Sequence, residues 1–154
     1  QGKLETAWGN PMTTQEMIDT VAEAGFNTVR LPVSWCWRTD SEFTVDETWL
    51  ARVKEIVDYC YKNEMYVILN THHETTWMVP TLDKIDETEK KFVYLWQQIA
   101  EYFKDYDEHL VFEGMNEPRV VGSSTEWSGG TTEGRQLVNR LNKTNYYSWS
   151  RNNL

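Results

Sequence analysis

The regular alternation of short apolar segments with amphipathic segments constrains the fold more than any other feature of the chain. Segments rich in β-branched and apolar residues predict three buried strands, at 27–33, 65–70 and 110–112. Apolar residues at helical spacing predict four helices, at about 13–25, 46–63, 85–103 and 133–142. Apolar strands that alternate with helices form parallel β-α-β units, in which helices cover both faces of the sheet. We therefore predict an α/β fold with three parallel strands and flanking helices.

The length of the chain predicts one domain. Its 154 residues are 40% hydrophobic, which is enough for one core of ordinary size. No low-complexity segment or linker divides the chain, so we predict a single domain over residues 1–154. Residues 145–154 are rich in aromatic residues and Asn, which marks them as an atypical C-terminal tail.

Charge and composition exclude some partners. A formal net charge of -9 argues against nucleic acid, which requires a positive patch on the protein. No apolar run approaches the roughly 18 residues of a membrane-spanning helix, so we expect no membrane partner. Eight Trp, eight Tyr and five Phe are more aromatic residues than a core of this length needs. Some of these rings should line a surface or cleft, where they would suit sugars, nucleobases or a protein.

Polar or ionisable side chains stand at or near the end of every predicted strand. Arg30 lies in the first strand, His72 and His73 follow the second, and Asn116 and Glu117 follow the third. Each residue alone has a structural explanation, because a strand Arg is usually an ion-pair partner and a lone His is usually a core or loop residue. Parallel strands, however, end at one edge of the sheet, where α/β barrels build their active sites. The occurrence of such residues at the ends of three strands therefore predicts a shared site.

The chemistry of this site is predicted to depend on a carboxylate. Neighbouring residues of an extended chain point to opposite faces, so His72 and His73 cannot easily bind one metal ion together. His109 lies at the opposite end of its strand, and we predict neither a metal nor a cofactor. The sequence also has no Ser- or Cys-centred nucleophile elbow and no Gly-rich phosphate loop. What remains is the carboxyl group of Glu117, with Arg, His and aromatic side chains around it.

Three segments carry a resemblance to a known family. They are 29–35 (Val-Arg-Leu-Pro-Val-Ser-Trp), 70–74 (Asn-Thr-His-His-Glu) and 112–119 (Phe-Glu-Gly-Met-Asn-Glu-Pro-Arg). In this order they resemble glycoside hydrolase family 5, and above all its cellulase, or endo-β-1,4-glucanase, branch. The resemblance implies a (β/α)8 barrel, retaining hydrolysis of β-linked glucans, a β-glucan polysaccharide or oligosaccharide as ligand, and secretion from the cell.

The resemblance also implies roles for individual residues. Glu117 matches the general acid/base, and Asn116 matches the amide that contacts the sugar 2-hydroxyl group. Arg30 matches the arginine that supports the nucleophile, and His72 matches the histidine beside it. His73 resembles a residue that touches the neighbouring sugar.

Two tryptophans lie in segments that the family places in loops near the cleft. They are Trp35 and Trp127. Either ring could stack on glucose or could pack its own loop, and the sequence leaves both interpretations open.

The chain departs from the family in the number of its strands. A full barrel needs about 250 residues, whereas the sequence predicts only three strands, so we predict a partial (β/α)8 barrel. The segment that carries the family's nucleophilic glutamate has no counterpart here. Retaining hydrolysis uses two carboxyl groups about 5 Å apart. The sequence therefore supplies the acid without its usual partner.

A three-stranded sheet with two free edges favours self-association into a dimer or a larger oligomer. If copies close into a barrel-like assembly, Glu74 of one copy could lie near the position of the missing nucleophile, which makes Glu74 a further candidate residue. The alternative hypothesis is a truncated, catalytically impaired remnant of a cellulase that binds β-glucan without turnover. A fragment that folds by oligomerisation and has no function is a third.

Overall fold

The computed structural model describes residues 5–128 and 130–150. Helices and strands alternate along the chain in the order α1 (Gln15–Glu23), β1 (Thr28–Val33), α2 (Glu47–Tyr61), β2 (Tyr66–Thr71), α3 (Ile85–Tyr102), β3 (Leu110–Glu113) and α4 (Thr132–Ser150). The predicted order of helices and strands is therefore confirmed. Within the described ranges, no helix is long and apolar enough to cross a membrane.

The three strands form one parallel sheet in the order β1-β2-β3. The first two strands pair from Thr28 opposite Tyr66 to Val33 opposite Thr71. The third strand is shorter and ends where Glu113 lies opposite Asn70. All three strands run in the same direction, so their carboxyl ends lie along one edge of the sheet, as the sequence predicts.

The two faces of the sheet have different environments. One face packs against α2 and α3 and carries Val29, Leu31, Val33, Val67, Leu69, Thr71, Leu110 and Phe112. The other face carries Thr28, Arg30, Pro32, Tyr66, Ile68, Asn70, Val111 and Glu113. On this second face Tyr66 and Val111 are 40% and 46% exposed. We call it the open face of the sheet.

The prediction that helices cover both faces of the sheet is wrong for the described residues. Along β1, exposed residues of the open face alternate with buried or half-buried residues of the helix side. The strands β2 and β3 begin with the same alternation and lose it at their carboxyl ends. Three strands do not close on themselves, so the side chains of the open face meet no opposing strand in the part of the chain that the structure describes. Among the eight described residues of this face, only Asn70 is fully buried, and its side-chain oxygen accepts the backbone N–H of Val33 at 3.2 Å.

The core lies between the sheet and the helices behind it. Its largest fully buried side chains include Trp35, Met65, Leu69, Phe92, Leu95, Trp96 and Ile99. A second, smaller cluster joins α3 to α4 through Ile85, Leu137 and Leu141. Burial of each such aliphatic side chain contributes about 1.5–3 kcal/mol to folding, and these two clusters hold the strand ends in place.

Local sequence signals explain where two of the helices begin or end. The hydroxyl group of Thr14 accepts the Met17 N–H at 3.4 Å and caps α1, and Gly25 follows this helix with a φ of +92°. The predicted end of the last helix at residue 142 is wrong, because α4 extends to Ser150. No Gly or Pro occurs from residue 135 to residue 150 to end the helix. Most of the predicted tail is thus helical, while residues 151–154 lie outside the described residues.

Candidate functional site

An ion pair between Arg30 and Glu113 lies at the centre of the polar cluster on the open face. The Nε atom of Arg30 donates to Oε2 of Glu113 at 2.7 Å, and Nη2 donates to Oε1 at 2.5 Å. Two parallel hydrogen bonds of this kind fix both the distance and the relative orientation of the two groups. Hydrogen bonds from Arg30 hold the pKa of Glu113 below its usual range and outweigh the opposing effect of burial. The carboxylate of Glu113 is thus kept ionised.

The same guanidinium group also orients Asn116. Nη2 of Arg30 donates to Oδ1 of Asn116 at 3.0 Å. The amide oxygen is therefore occupied by a cation, and the amide nitrogen is the part of Asn116 left to donate to another molecule. Arg30 thereby links β1 both to the end of β3 and to the loop that follows β3.

The turn that follows β3 is held in place by hydrogen bonds to its backbone. The carbonyl oxygen of Gly114 accepts hydrogen bonds from the hydroxyl group of Thr71 and, at 3.3 Å, from the indole N–H of Trp96. Glu117 then adopts a φ of +46°, in the left-handed region that residues other than glycine rarely adopt. Such a backbone costs about 1–3 kcal/mol and persists only where its surroundings enforce it.

Arg119 holds Glu117 in this conformation. Its Nη1 atom donates to the carbonyl oxygen of Glu117 at 3.2 Å and to Oε2 of the same residue at 3.1 Å. The Glu117 side chain is nevertheless 58% exposed. The site therefore presents a carboxyl group at a strand end that one arginine orients and that solvent can still reach.

The two histidines form the other side of the cluster. The amide nitrogen of Asn70 and Nδ1 of His72 are 3.4 Å apart, and the rings of His72 and His73 are 4.5 Å apart between centroids. Burial, followed by the charges of His73 and Arg30, lowers the pKa of His72, although the charge of Glu117 opposes this effect. The imidazole of His72 is therefore neutral at neutral pH. The charge of Glu117 also contributes, after the hydrogen bond and charge of Glu113, to a raised pKa of Arg30.

The structure thus brings together Arg30, His72, His73, Asn116 and Glu117, which the sequence analysis places at three different strand ends. It adds one residue that the sequence did not single out, Glu113, which forms the ion pair with Arg30. The arginine within a strand could have pointed to this residue, because such an arginine needs an acidic partner. Strand alternation and the parallel register place Glu113 on the face that carries Arg30.

Trp35 does not line the site. Its side chain is fully buried in the core, and its indole N–H donates to the carbonyl oxygen of Asn70 at 3.1 Å. Of the two interpretations of this tryptophan, the structure therefore supports packing of the loop and corrects the prediction of a sugar contact.

Glu74 is also placed in the interior, where it is 2% exposed. Its carboxylate accepts hydrogen bonds from the backbone N–H of Trp35 at 2.6 Å, the backbone N–H of Cys36 at 3.1 Å and the indole N–H of Trp77 at 2.5 Å. Burial raises the pKa of Glu74, and these donors offset only part of the effect. A carboxylate that joins two loops from within cannot face a sugar or another copy of the chain. The structure thus corrects the prediction that Glu74 serves as a second carboxylate.

Two exposed indole rings flank the cluster. Trp127 is 72% exposed, and the guanidinium carbon of Arg119 lies 4.3 Å from its ring centroid. Trp8, which the sequence analysis did not single out as a site residue, is 76% exposed and lies 6.4 Å from the ring of His73. Burial depends on tertiary contacts, so the sequence could not separate these rings from buried ones such as Trp35.

The polar cluster is suited to proton transfer and to sugar binding. It combines an accessible carboxyl group, an oriented amide, a neutral imidazole and flat aromatic surfaces. Among the residues that the structure describes, no group of three or more His, Cys, Asp or Glu side chains could hold a metal ion.

Comparisons with known proteins agree on one family. The family model for cellulases of glycosyl hydrolase family 5 matches residues 1–147. Endoglucanase A of Ruminococcus albus is 51% identical over 142 residues, which make up 91% of this chain and 39% of that protein. Endoglucanase A of Clostridium longisporum is 52% identical over 139 residues, which make up 90% of this chain and 27% of that protein.

Solved structures show the same similarity in three dimensions. A GH5-4 broad specificity endoglucanase from Ruminococcus champanellensis, solved with bound cellotriose, superposes with a TM-score of 0.91 at 53% identity. The superposition covers 94% of this chain and 42% of that enzyme. This chain therefore spans less than half the length of the relatives it matches.

Replacement of Glu74 tests its structural role. In Glu74→Ala three buried N–H donors lose their acceptor, and each such loss costs about 1–3 kcal/mol. We expect the free energy of unfolding to fall by at least about 2 kcal/mol, measured by urea denaturation, and to fall less in Glu74→Gln, which keeps one acceptor oxygen. Glu108→Ala, a change at an exposed glutamate, is the control. A Glu74→Ala protein as stable as this control would contradict the assignment.

The lowered pKa of Glu113 predicts a loss of stability in acid. An unfolded chain protonates this carboxyl near its ordinary pKa of 4.5, whereas the folded protein keeps it ionised to lower pH. Its contribution is therefore present above pH 4.5 and is lost as pH falls through the folded pKa. In Glu113→Gln, the free energy of unfolding should decrease less steeply between about pH 5 and about pH 3 than in the wild type. Arg30→Gln should likewise make the free energy of unfolding depend less on pH over this range. The double variant should add little to the effect of either single change. Equal slopes in all four proteins would contradict the prediction.

Proposed function

Because the chain belongs to glycoside hydrolase family 5, we propose that it carries the acid side of the active site of an endo-β-1,4-glucanase. The observation that carries this proposal is the network in which Arg30 binds both Glu113 and Asn116, immediately before the exposed carboxyl group of Glu117. Relatives that match most of this chain are endoglucanases, and one of them holds cellotriose. We therefore propose β-glucan as the substrate.

Glu117 is the proposed general acid/base of a retaining mechanism. In the first step it donates its proton to the glycosidic oxygen while a second carboxylate attacks the anomeric carbon and forms a glycosyl-enzyme intermediate. In the second step Glu117 removes a proton from water, which attacks the anomeric carbon and releases the second carboxylate. The exposure of Glu117 supports both steps, because the leaving sugar and the water must reach it in turn.

Asn116, Arg30 and the two histidines have supporting roles in this proposal. Arg30 occupies the amide oxygen of Asn116, which leaves the amide nitrogen to donate to the 2-hydroxyl group of the reacting sugar. The neutral imidazole of His72 lies beside the same sugar, and His73 contacts the next one. The rigid ion pair with Glu113 keeps these groups in place during the reaction.

We propose that the second carboxylate is not one of the carboxyl groups that the structure describes in the same copy of the chain. Glu113 is bound by two nitrogens of Arg30, Glu74 is buried, and Glu126 is bound by Arg119 and by the Gly122 N–H. A nucleophile needs a free oxygen that faces the anomeric carbon, and hydrogen bonds or burial occupy these three carboxylates.

A second candidate function is binding of β-glucan without turnover, as in a catalytically impaired cellulase. The exposed rings of Trp8 and Trp127 favour it, because flat indole surfaces can hold a glucan without any carboxylate. In either case a polymeric glucan acts as ligand outside the cell, so we also propose that the protein is secreted.

We further propose that a second copy of the chain covers the open face of the sheet. Tyr66 and Val111 lie exposed on that face, and Ile68 between them is half-buried. Both outer strands of the sheet also lack a neighbour on one side within the described residues. Free strand edges and exposed apolar surface favour association of identical chains.

Substitution of Glu117 separates hydrolysis from binding. The wild-type chain should release reducing sugar from carboxymethyl cellulose or another β-1,4-glucan, and Glu117→Gln should lower kcat by about 10²–10⁴-fold. Cellotriose binding, measured by calorimetry, should remain, because Gln keeps the size and polarity of the side chain. Glu16→Gln, at an exposed glutamate of α1, should match the wild type.

The outcomes of this experiment distinguish the two functions. Binding of cellotriose without release of reducing sugar by the wild type would favour the binding function. Neither binding nor release would contradict both.

The assembly is tested by the mass of the protein in solution. Light scattering at micromolar concentrations should give the mass of a dimer or larger oligomer, and Val111→Lys should shift it towards the monomer, because a charge on the open face would lose its hydration on association. Val121→Lys changes an exposed valine that lies in a loop and not in the sheet, and it should leave the mass unchanged. A stable monomer at all concentrations would contradict the assembly.

A further inference from the structure

Arg119 joins two groups that the proposed function treats separately, the acid and an aromatic ring. One of its nitrogens, Nη1, binds both the backbone and the carboxylate of Glu117. Its Nε atom donates to Oε1 of Glu126 at 3.0 Å, and its guanidinium carbon lies over the ring of Trp127, 4.3 Å from the centroid. The arginine side chain itself is only 19% exposed. It therefore acts as a partly buried link between the strand end and the loop that follows.

The loop of residues 120–128 depends on polar contacts such as this link, because core packing does not hold it. Val121 and Trp127 are 59% and 72% exposed. The loop lines an open pocket of about 530 Å³, whose other walls include Pro80 and Val138 of α4. A loop with so little buried apolar surface gains little from dispersion contacts, so hydrogen bonds must fix its position.

Glu126 carries the contact between Arg119 and the loop. One carboxylate oxygen binds Arg119, and the other accepts the N–H of Gly122 at 2.7 Å. Gly122 has a φ of +79°, which closes the loop back towards Glu126. The guanidinium group thus fixes the loop at Glu126 and supports the neighbouring ring of Trp127 from one side.

We propose that Arg119 is a positioning residue that holds the acid and the Trp127 ring as one unit, so that the leaving-group sugar stacks on Trp127 while Glu117 reaches the glycosidic oxygen. This inference rests on the proposed function. Arg30 contacts Asn116, the residue before Glu117, whereas Arg119 contacts both Glu117 and Trp127. In this proposal the reacting sugar lies against Asn116 and the leaving sugar lies against Trp127.

The chemistry of arginine suits this role. A guanidinium group can stack its plane on an aromatic ring and donate hydrogen bonds from its edge at the same time, whereas the ammonium group of lysine is a point charge. With the guanidinium against one face of the indole, the opposite face stays free for the C–H groups of a sugar ring. Arg119→Lys should therefore keep an ion pair with Glu117 but lose the support of the ring.

A binding experiment tests the positioning role without any need for turnover. The indole N–H signals of ¹⁵N-labelled protein are recorded by NMR, and the Trp127 signal is assigned from its loss in Trp127→Phe. During titration with cellotriose this signal should shift to saturation. Arg119→Ala should weaken cellotriose binding about tenfold, and Arg119→Lys should weaken it to a similar extent. Arg140→Ala, which removes an ion-paired arginine of α4, should have no effect.

A double-mutant cycle separates positioning from a general loss of stability. If Arg119 acts through the ring, Trp127→Ala should reduce cellotriose affinity only slightly further in the Arg119→Ala protein. In the Arg140→Ala protein the same change should reduce the affinity as much as it does in the wild type. Additive losses of affinity, or an Arg119→Ala protein that binds cellotriose as the wild type does, would overturn the proposal.

A second measurement remains decisive if the chain does not bind cellotriose at all, a result that would count against the proposed function. In the free protein, Glu117→Gln should shift the Trp127 indole signal through Arg119, and the shift should vanish in the Arg119→Ala background. A shift of equal size in both backgrounds, or no shift in either, would overturn the link itself. Arg119→Lys, which keeps the positive charge, replaces Arg119→Ala in this test if the alanine variant does not fold.

Discussion

The paired hydrogen bonds between Arg30 and Glu113 are the interaction on which the site depends. They join the first strand to the third across the second, on the face of the sheet that none of the described helices covers. The same guanidinium group orients Asn116, and the residue after Asn116 is Glu117. An arginine within a strand would be costly if it were unpaired. Here it organises the ends of three chain segments into one polar cluster.

Two glutamates show how environment decides the role of a carboxyl group. Hydrogen bonds from Arg30 lower the pKa of Glu113, whereas burial raises the pKa of Glu74. Both groups serve the architecture, one as the anchor of an arginine and the other as the acceptor that joins two loops. Glu117 differs from both in its exposed carboxyl group, which is available for chemistry.

Particular residues show how far sequence reasoning reaches. The alternation of helices and strands follows from local periodicity, and it predicted the parallel sheet. The shared edge of the sheet then brought Arg30, His72 and Glu117 into one candidate site. The sequence misplaces the end of α4, because the composition of this segment indicates irregular structure although no residue there breaks a helix. Trp35 and Trp127 could not be told apart, because the two rings differ in burial and not in local sequence.

By itself, the sequence determined the order of the elements, the direction of the strands and the family, since all three follow from short segments and their spacing. Only the tertiary structure decided which carboxylates are free, because that depends on partners distant along the chain. Glu113 meets an arginine that lies 83 residues away, and Glu74 meets donors that lie 38 and 39 residues away. The open face of the sheet was likewise settled in three dimensions, where three strands are too few to close upon themselves.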